Sequence, residues 1–302
     1  MTQTRLLDSR QYLFLALLTL CWGFNWPVLK LGISELPPAW FRLLGLVGGT
    51  AILGLFARWR GDPLAVPRGA WWRIFALALP NMILWFLLGI YALGMIPSGR
   101  AAILGYTMPI WAALIGVACF GERPNVLTWI GVFCAAAATL LLVAGEWTTL
   151  TGRPLGAGLM LLAAATWGAG THMLRRMRLD MTTMALTFWM MLMATVALFA
   201  FSAVFEAARW RAPHGREWWP VLYNAVFVLG LCNAMWFSLA RSLPPVASGL
   251  SGMMVPAVGV FSSFLLLGET PHWRDDLALV LILLSLASVV WQRAAPSDPT
   301  PR

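Results

Sequence analysis

Charged side chains are scarce in this 302-residue chain. They make up 11% of its residues, while 60% are hydrophobic and the mean hydropathy is +0.76. A soluble domain carries about 25% charged residues, so this chain lacks the side chains for a water-facing surface. Apolar runs of about twenty residues, enough to cross about 30 Å of hydrocarbon, recur along it. The composition therefore predicts an all-α integral membrane protein.

Sequence signatures of catalysis and of cofactor binding are also missing. The chain contains no zinc-binding His-Glu-x2-His, no Gly-x-Ser-x-Gly nucleophile turn, no phosphate-binding loop and no metal-spaced Cys/His cluster. All four cysteines fall within apolar runs, where they act as small packing residues rather than as a disulfide framework. We expect no enzyme, no cofactor and no metal.

The apolar runs predict ten transmembrane helices, separated by short connectors that contain Pro, Gly and Arg. The predicted spans are residues 11–31, 38–57, 72–94, 98–119, 126–144, 156–175, 183–205, 219–241, 246–267 and 274–292.

The basic residues predict the orientation of these spans. With the N-terminus inside, thirteen arginines fall in inward connectors and tails, and five in outward connectors. This bias follows the positive-inside rule with both termini cytoplasmic. The net charge of +9 is therefore a topology signal, and nucleic acid is not an expected partner.

One set of landmarks occurs twice, offset by 145 to 147 residues. This duplication predicts a first five-helix repeat in residues 1–148 and a second in residues 149–302. Five spans separate the copies, so the second repeat enters the membrane from the opposite face, as in transporters. The landmarks are Trp22-Gly23 with Lys30, Trp167-Gly168 with Arg175, Pro109 with Gly121-Glu122, and Pro256 with Gly268-Glu269.

This ordered set resembles the drug/metabolite transporter superfamily, in particular its EamA family, and within it the exporters of aromatic amino acids. The resemblance covers nearly the whole chain. It implies a multi-pass protein of the bacterial inner membrane, with a central cavity lined by helices one, three, four, six, eight and nine. Helices two and seven are implied to face lipid. We expect a monomer whose partners are membrane lipid and a small-molecule substrate.

Acidic residues are absent from the middle of every predicted span. All twelve lie in connectors, tails or helix ends. Because proton relays and cation sites in membranes generally use buried carboxylates, this absence favours a facilitator over a tightly proton-coupled carrier. His172 is the only histidine within a span, and it is either a proton relay or a neutral hydrogen-bonding group.

Aromatic and polar residues within the spans are the candidate substrate-binding groups. Trp22 and Trp167 occupy equivalent places in the two repeats, and stacked indole faces bind planar rings. Tyr91 and Trp111 either join them or fill space between helices. Asn25 lies beside the first Trp-Gly motif, where a buried amide needs a partner.

Lys30 and three prolines complete the predicted site. Lys30, the only lysine, either meets a substrate carboxylate or a helix C-terminus, or extends to the membrane interface. Pro27, Pro109 and Pro256 are expected to kink their helices, since proline removes a backbone hydrogen bond. These kinks either serve gating or shape the bundle statically.

The predicted substrate is a neutral or zwitterionic compound with a planar apolar side chain, such as Trp, Phe or Tyr, moved outward. A sugar-phosphate or nucleotide-sugar exchanger is the main alternative, but a dianionic substrate calls for several cations. Only Lys30, Arg42 and Arg100 approach that role, all toward outer helix ends. A membrane scaffold without transport has no support beyond the spans themselves.

Overall fold

A computed structural model describes residues 9–122, 125–148, 154–177, 179–233, 235 and 245–294. Within these ranges the secondary structure is helical and contains no strand. Both chain ends, residues 149–153 beside the predicted repeat boundary, and residues 236–241 of the eighth predicted span lie outside the described residues.

The described helices form ten successive stretches, separated by short connectors. Two single-turn 3₁₀ segments, Ala207–Arg209 and Gly215–Glu217, lie in the longest described connector. The ten stretches are α1 (Ser9–Glu35), α2 (Pro38–Trp59), α3 (Trp71–Met95), α4 (Ser98–Phe120), α5 (Val126–Thr148), α6 (Pro154–Arg176), α7 (Thr183–Phe205), α8 (Trp218–Leu222 continued by Tyr223–Cys232), α9 (Pro245–Leu267) and α10 (Trp273–Ala294).

Six of these helices contain stretches long and apolar enough to cross a membrane. The spanning stretches are Leu13–Glu35, Pro38–Trp59, Trp71–Met95, Ser98–Phe120, Val126–Ala144 and Thr183–Phe205. Ten spans with both termini inside stay a prediction. The connectors at 36–37, 96–97, 206–217 and 268–272 belong to what we call the predicted outer end.

Three helices depart from regular α-geometry. α3 and α8 contain π-helical segments, Leu79–Leu84 and Tyr223–Cys232, and α4 is interrupted between Gly105 and Met108. Pro109 lies in the first turn of the second part of α4, where a missing N–H costs no helical bond. Pro27 and Pro256, also predicted as kink sites, lie inside helices that continue on both sides.

The helices pack in a pattern that is symmetric between the two halves. α1 packs on α8 and α9, and its counterpart α6 packs on α3 and α4. α2 contacts α8 and α7, whereas α7 contacts α3 and α2, and α5 pairs with α10. If each helix is replaced by its counterpart in the other half (α1 by α6, α6 by α1, and so on), the same set of pairs results. Each half therefore packs chiefly against the other half rather than against itself.

The glycine of each Trp-Gly motif lies where α1 and α6 cross a proline-bearing helix. A Cβ at Gly23 would collide with the side chain of Val258, two residues beyond Pro256. A Cβ at Gly168 would lie 2.7 Å from the backbone nitrogen of Ala112, three residues beyond Pro109. The duplicated landmarks of the sequence therefore meet in space, each motif against the proline-bearing helix of the opposite half.

Candidate substrate cavity

A small cavity of about 60 Å³ lies among α1, α2, α3 and α6. One water needs about 10–15 Å³ of such space, so the cavity can hold several waters. Aromatic rings form much of its wall, and a guanidinium and an amide are its polar groups. The residues that matter for its chemistry are Asn25, Trp26, Arg42, Trp85, Phe86 and Met160.

A chain of hydrogen bonds connects the polar groups of the cavity to α8. Arg42 Nη1 donates to Asn224 Oδ1 at 3.2 Å, and Asn224 Nδ2 donates to Asn25 Oδ1 at 2.8 Å. Asn224 is completely buried. Its side chain therefore fixes the guanidinium of α2 relative to the amide of α1.

Arg42 is a buried cation with neutral neighbours. Arg42 is only 6% exposed, and its guanidinium carbon lies 4.1 Å from the centroid of the Phe86 ring. Among the described residues, no carboxylate forms an ion pair with it and its Nε has no hydrogen-bond partner. The family resemblance implies that helix two faces lipid. The structure corrects this expectation in part, because Arg42 of α2 lines the cavity.

Lys30 is engaged away from the cavity. Its Nζ donates to the carbonyl oxygens of Leu93 and Ile96, at 2.6 Å and 2.8 Å. These carbonyls lie at the C-terminal end of α3, where the helix leaves oxygens without helical partners. In this conformation Lys30 satisfies a helix C-terminus, which is one of the roles considered for it.

The two motif tryptophans lie in different surroundings. Trp167 packs its ring edge-on against Trp85, which lines the cavity, with centroids 5.4 Å apart. Trp22 packs beside Leu15, Leu18 and Cys232, between α1 and α8. Of this pair, Trp167 is the one that touches the aromatic wall of the cavity.

The remaining aromatic candidates bind protein groups outside the cavity wall. Trp111 Nε1 donates to Thr107 Oγ1 at 3.2 Å, beside the interruption of α4. The Tyr91 hydroxyl donates to Glu206 Oε1 at 2.6 Å, toward the predicted outer end. Of the predicted substrate-binding residues, Asn25 is the one that lines the cavity directly.

His172 lies between α4 and α6, apart from the cavity. Its ring is 3% exposed, pairs through Nε2 with the Ala112 carbonyl and stacks on Phe120. Its Nδ1 lies 3.7 Å from Glu122 Oε1. The contact with a backbone carbonyl fits the neutral hydrogen-bonding role, and the contact with Glu122 keeps the relay hypothesis open to test.

Glu206 is a buried carboxylate whose burial the sequence did not reveal. It accepts hydrogen bonds from the backbone N–H groups of Ala39 and Trp40, from Ser202 Oγ and from Tyr91. It lies at the end of α7, as predicted, but the residue is only 1% exposed. Two prolines precede Ala39, and α2 begins there, opposite Glu206. These prolines were the sequence signal that could have indicated the burial of this carboxylate.

A larger cavity of about 190 Å³ lies at the predicted outer end. Its charged groups are already paired: Arg100 Nε and Nη2 donate to Asp275 at 2.8 Å and 3.1 Å. Glu269 accepts hydrogen bonds from Ser98 and Gly99 at the start of α4. In the smaller cavity, by contrast, the charge of Arg42 meets no carboxylate among the described residues.

Comparison with known proteins finds transporters. The YoaV protein of Bacillus subtilis (strain 168), an uncharacterized transporter, is 26% identical over 257 residues, which cover 83% of this chain and 86% of YoaV. The uncharacterized inner membrane transporter YedA of Escherichia coli (strain K12) is 26% identical, over 90% of this chain and 88% of its own.

A third relative from Escherichia coli (strain K12) is described as a probable amino-acid metabolite efflux pump. It is 26% identical over 291 residues, which cover 92% of this chain and 94% of the relative. A solved crystal structure, 20% identical, superposes with a TM-score of 0.63 over 94% of this chain and 98% of its own. That structure supports the fold alone.

The family assignment rests on both halves of the sequence. The model of the EamA-like transporter family matches residues 9–144 and again residues 154–291. Together with the apolar helices and the inner-membrane relatives, this match makes the protein a multi-pass transporter of the inner membrane. The chain belongs to the EamA-like transporter family.

Proposed function

We propose that this transporter exports aromatic or other neutral, zwitterionic amino acids and related metabolites by alternating access. The observation that carries the proposal is the cavity among α1, α2, α3 and α6, where aromatic rings lie beside one amide and one guanidinium. Flat apolar side chains suit such walls, because aromatic pairs add stacking to the burial of apolar area. The relative described as an amino-acid metabolite efflux pump agrees with this substrate class.

The cations of the bundle support a substrate with few negative charges. Of the three candidates for anion binding, Lys30 binds carbonyl oxygens of α3 and Arg100 forms a bidentate pair with Asp275. Arg42 alone of these three lines the cavity. A dianionic sugar phosphate would leave charge uncompensated there, so the exchanger alternative is the weaker one.

We further propose that transport follows the substrate gradient without tight proton coupling. The described residues that line the cavity include no carboxylate. Glu206 is surrounded by four hydrogen-bond donors outside the cavity wall, which leaves it poorly placed to exchange protons with a substrate. His172 with Glu122 is the remaining candidate for a relay.

Uptake of labelled tryptophan into proteoliposomes tests this function. We expect saturable uptake that unlabelled phenylalanine and tyrosine inhibit, with little change when a pH gradient is imposed. Glucose 6-phosphate serves as the competitor for the exchanger alternative and should not inhibit. Absence of saturable uptake for all three amino acids would contradict the substrate class.

The coupling mode is tested separately from the substrate. A wild-type rate that rises several-fold with the pH gradient would contradict the facilitator. In that case His172→Gln should abolish the dependence on the gradient if His172 is the relay. His214→Gln, which changes a histidine in the connector after α7, is the matched control.

A further inference from the structure

We propose that Arg42 binds the carboxylate of the substrate in the cavity. This inference rests on the proposed export of amino acids and names the group that recognises their charged end. It assigns the role to α2, whereas the sequence offered Lys30 of α1 as a candidate.

A buried guanidinium without a counter-ion is a costly feature. Transfer of an unpaired charge from water into a protein interior is unfavourable, and arginine stays protonated in proteins. Among the described residues, the partners of the Arg42 guanidinium are the face of Phe86 and the amide oxygen of Asn224. An apolar side chain of similar length would be cheaper for the fold at this position. The missing partner of this charge is therefore a ligand that enters the cavity.

The hydrogen-bonding edge of Arg42 is suited to a carboxylate. Nη1 is held by Asn224, while Nε is buried and has no partner among the described residues. Nε and Nη2 share the edge of the guanidinium that forms parallel hydrogen bonds to the two oxygens of a carboxylate. The bond from Asn224 to Asn25 fixes this edge in advance. Arginine held in this way loses less entropy when the ligand binds.

The surroundings of Arg42 select a monoanion with an apolar body. Trp26, Trp85 and Phe86 line the same cavity, and the ring of Trp167 packs edge-on against Trp85. Lys30 and Arg100 are bound to other groups, so a single positive charge faces the cavity from these three residues. One carboxylate matches that charge, whereas a phosphate dianion exceeds it.

In the described conformation the cavity beside Arg42 is small and partly open. Its volume of about 60 Å³ is large enough for a carboxylate group but too small for an indole beside it. Binding a complete aromatic amino acid therefore requires one of the aromatic walls to move. The guanidinium is already fixed in place, so the aromatic rings are the part of the site that adapts.

Ligands that differ only in their carboxylate test this role. Tryptophan and tryptophanamide share the ring and the ammonium group, so the ratio of their affinities isolates the carboxylate. Competition against labelled phenylalanine in nanodiscs measures both. We expect wild type to bind tryptophan about tenfold or more tightly than its amide, since a charge-assisted pair is lost. Arg42→Met should reduce this ratio to within about twofold.

A second arginine provides the control for charge and composition. Arg60 follows α2 in an exposed connector beside Asp62, so Arg60→Met removes the same charge far from the cavity. This variant should keep the wild-type ratio. An Arg42→Met protein that folds and still prefers tryptophan about tenfold would overturn the proposal.

Folding of the variants is followed by thermal unfolding. Arg42→Met should be as stable as wild type or more so, because an unpaired buried charge is removed. Asn224→Asp is the second variant, since it places a carboxylate 3.2 Å from Nη1 that competes with the ligand. It should weaken tryptophan binding about tenfold and leave tryptophanamide within about twofold. Equal weakening of both ligands would contradict the proposed role.

Failure of the proposed function has a different signature. If wild type neither binds nor moves any aromatic amino acid, the substrate class is wrong and the carboxylate role is tested with indole-3-acetate and benzoate. Thermal stabilisation of wild type by these anions, absent in Arg42→Met, would still support Arg42 as a carboxylate site. No difference between the two proteins would overturn it.

Discussion

The two copies of the Gly-Glu turn have the same backbone and different partners. Gly121 and Gly268 both adopt left-handed conformations, with φ of +63° and +65°. The following N–H groups of Glu122 and Glu269 each donate to the carbonyl six residues earlier, at 3.1 Å and 3.4 Å. This closure ends α4 and α9 in the manner typical of a glycine cap. The duplicated sequence therefore builds the same turn at opposite ends of the bundle.

The side chains after these turns differ. Glu269 accepts from the N–H groups of Ser98 and Gly99 and from Ser98 Oγ, at the N-terminus of α4. Glu122 is half-exposed and, among the described residues, contacts the side chains of His172 and Arg176. The carboxylate of Glu269 thus lies on a helix terminus at the predicted outer end, whereas the described contacts of Glu122 are with side chains of α6. Equivalent halves that hold different contacts are what alternating access requires.

Glu206 gives the largest expected difference between the ends. Glu206→Ala would leave two backbone N–H groups, a serine hydroxyl and Tyr91 without their acceptor. We expect a loss of about 3 kcal/mol or more in the free energy of unfolding, because buried donors would go unpaired. Thermal or denaturant unfolding in detergent measures the loss.

Glu122→Ala is the matched substitution at the other end. Its carboxylate is half-exposed, so water replaces the contacts with His172 and Arg176. We expect a loss of less than about 1 kcal/mol. Similar losses for the two variants would show that burial does not separate the two ends.

Substitutions where α1 crosses α9 and where α6 crosses α4 should change the stability in the same direction. Substitutions at the two ends of the bundle should differ. Gly168→Ala places a methyl group 2.7 Å from the backbone nitrogen of Ala112, and the backbone cannot easily move away. We expect a loss of about 1–3 kcal/mol from overpacking, measured by unfolding. Gly23→Ala at the other crossing should also destabilise, since Val258 lies in the way.

Gly158→Ala provides the control on the same helix as Gly168. No atom lies within 4 Å of the position of its added Cβ, and α6 is helical there. Alanine should be neutral or stabilise by up to about 1 kcal/mol, because it favours helix more than glycine does. Equal losses at Gly158 and Gly168 would contradict a role for close approach at the crossing.

The Gly-Glu turns themselves provide a smaller contrast. Glu269→Gln keeps the shape of the side chain but removes the charge that faces the N-terminus of α4. We expect it to cost about 1–2 kcal/mol, from the helix dipole and the charge-assisted bonds. Glu122→Gln should cost about 0.5 kcal/mol or less. A larger loss for Glu122→Gln would contradict this contrast between the two turns.

The ends of several helices could be predicted from the sequence. The predicted spans 38–57, 98–119 and 183–205 lie within about two residues of α2, α4 and α7 at both ends. Apolar runs end where Pro, Gly or a charge makes burial in lipid unfavourable, and that information is local. The family could be predicted as well, because its short landmarks recur in order along both halves.

The faces that line the cavity could not be predicted in the same way. Helices surrounded by lipid are apolar on every side, so hydrophobic periodicity does not mark the inward face. Lys30 and Arg42 looked alike as cations near outer helix ends. Only packing separates them, since Lys30 reaches the end of α3 while Arg42 is enclosed by Phe86 and Asn224. The burial of Glu206 likewise depends on where α2 begins in space.

A partly exposed ion pair at the predicted outer end gives the smallest expected effect. Arg211 forms two hydrogen bonds of 2.6 Å to Glu217 and also donates to the Glu35 carbonyl. The hydrogen bonds from Arg211 lower the pKa of Glu217 from its ordinary value of 4.5 to about 2. A lowered pKa stabilises the folded state above pH 4.5, and the contribution is lost as the pH falls from there toward 2.

Glu217→Gln removes this titration and leaves the connector otherwise intact. The unfolding temperature of wild type should exceed that of the variant at pH 6, and the difference should shrink steadily between pH 4.5 and 3. Because the pair is partly exposed, the difference should be smaller than that between wild type and Glu269→Gln. A difference that stays constant with pH would mean that the Glu217 charge does not stabilise this connector. The predicted outer end would then be held by the contacts of Glu206, Glu269 and Asp275.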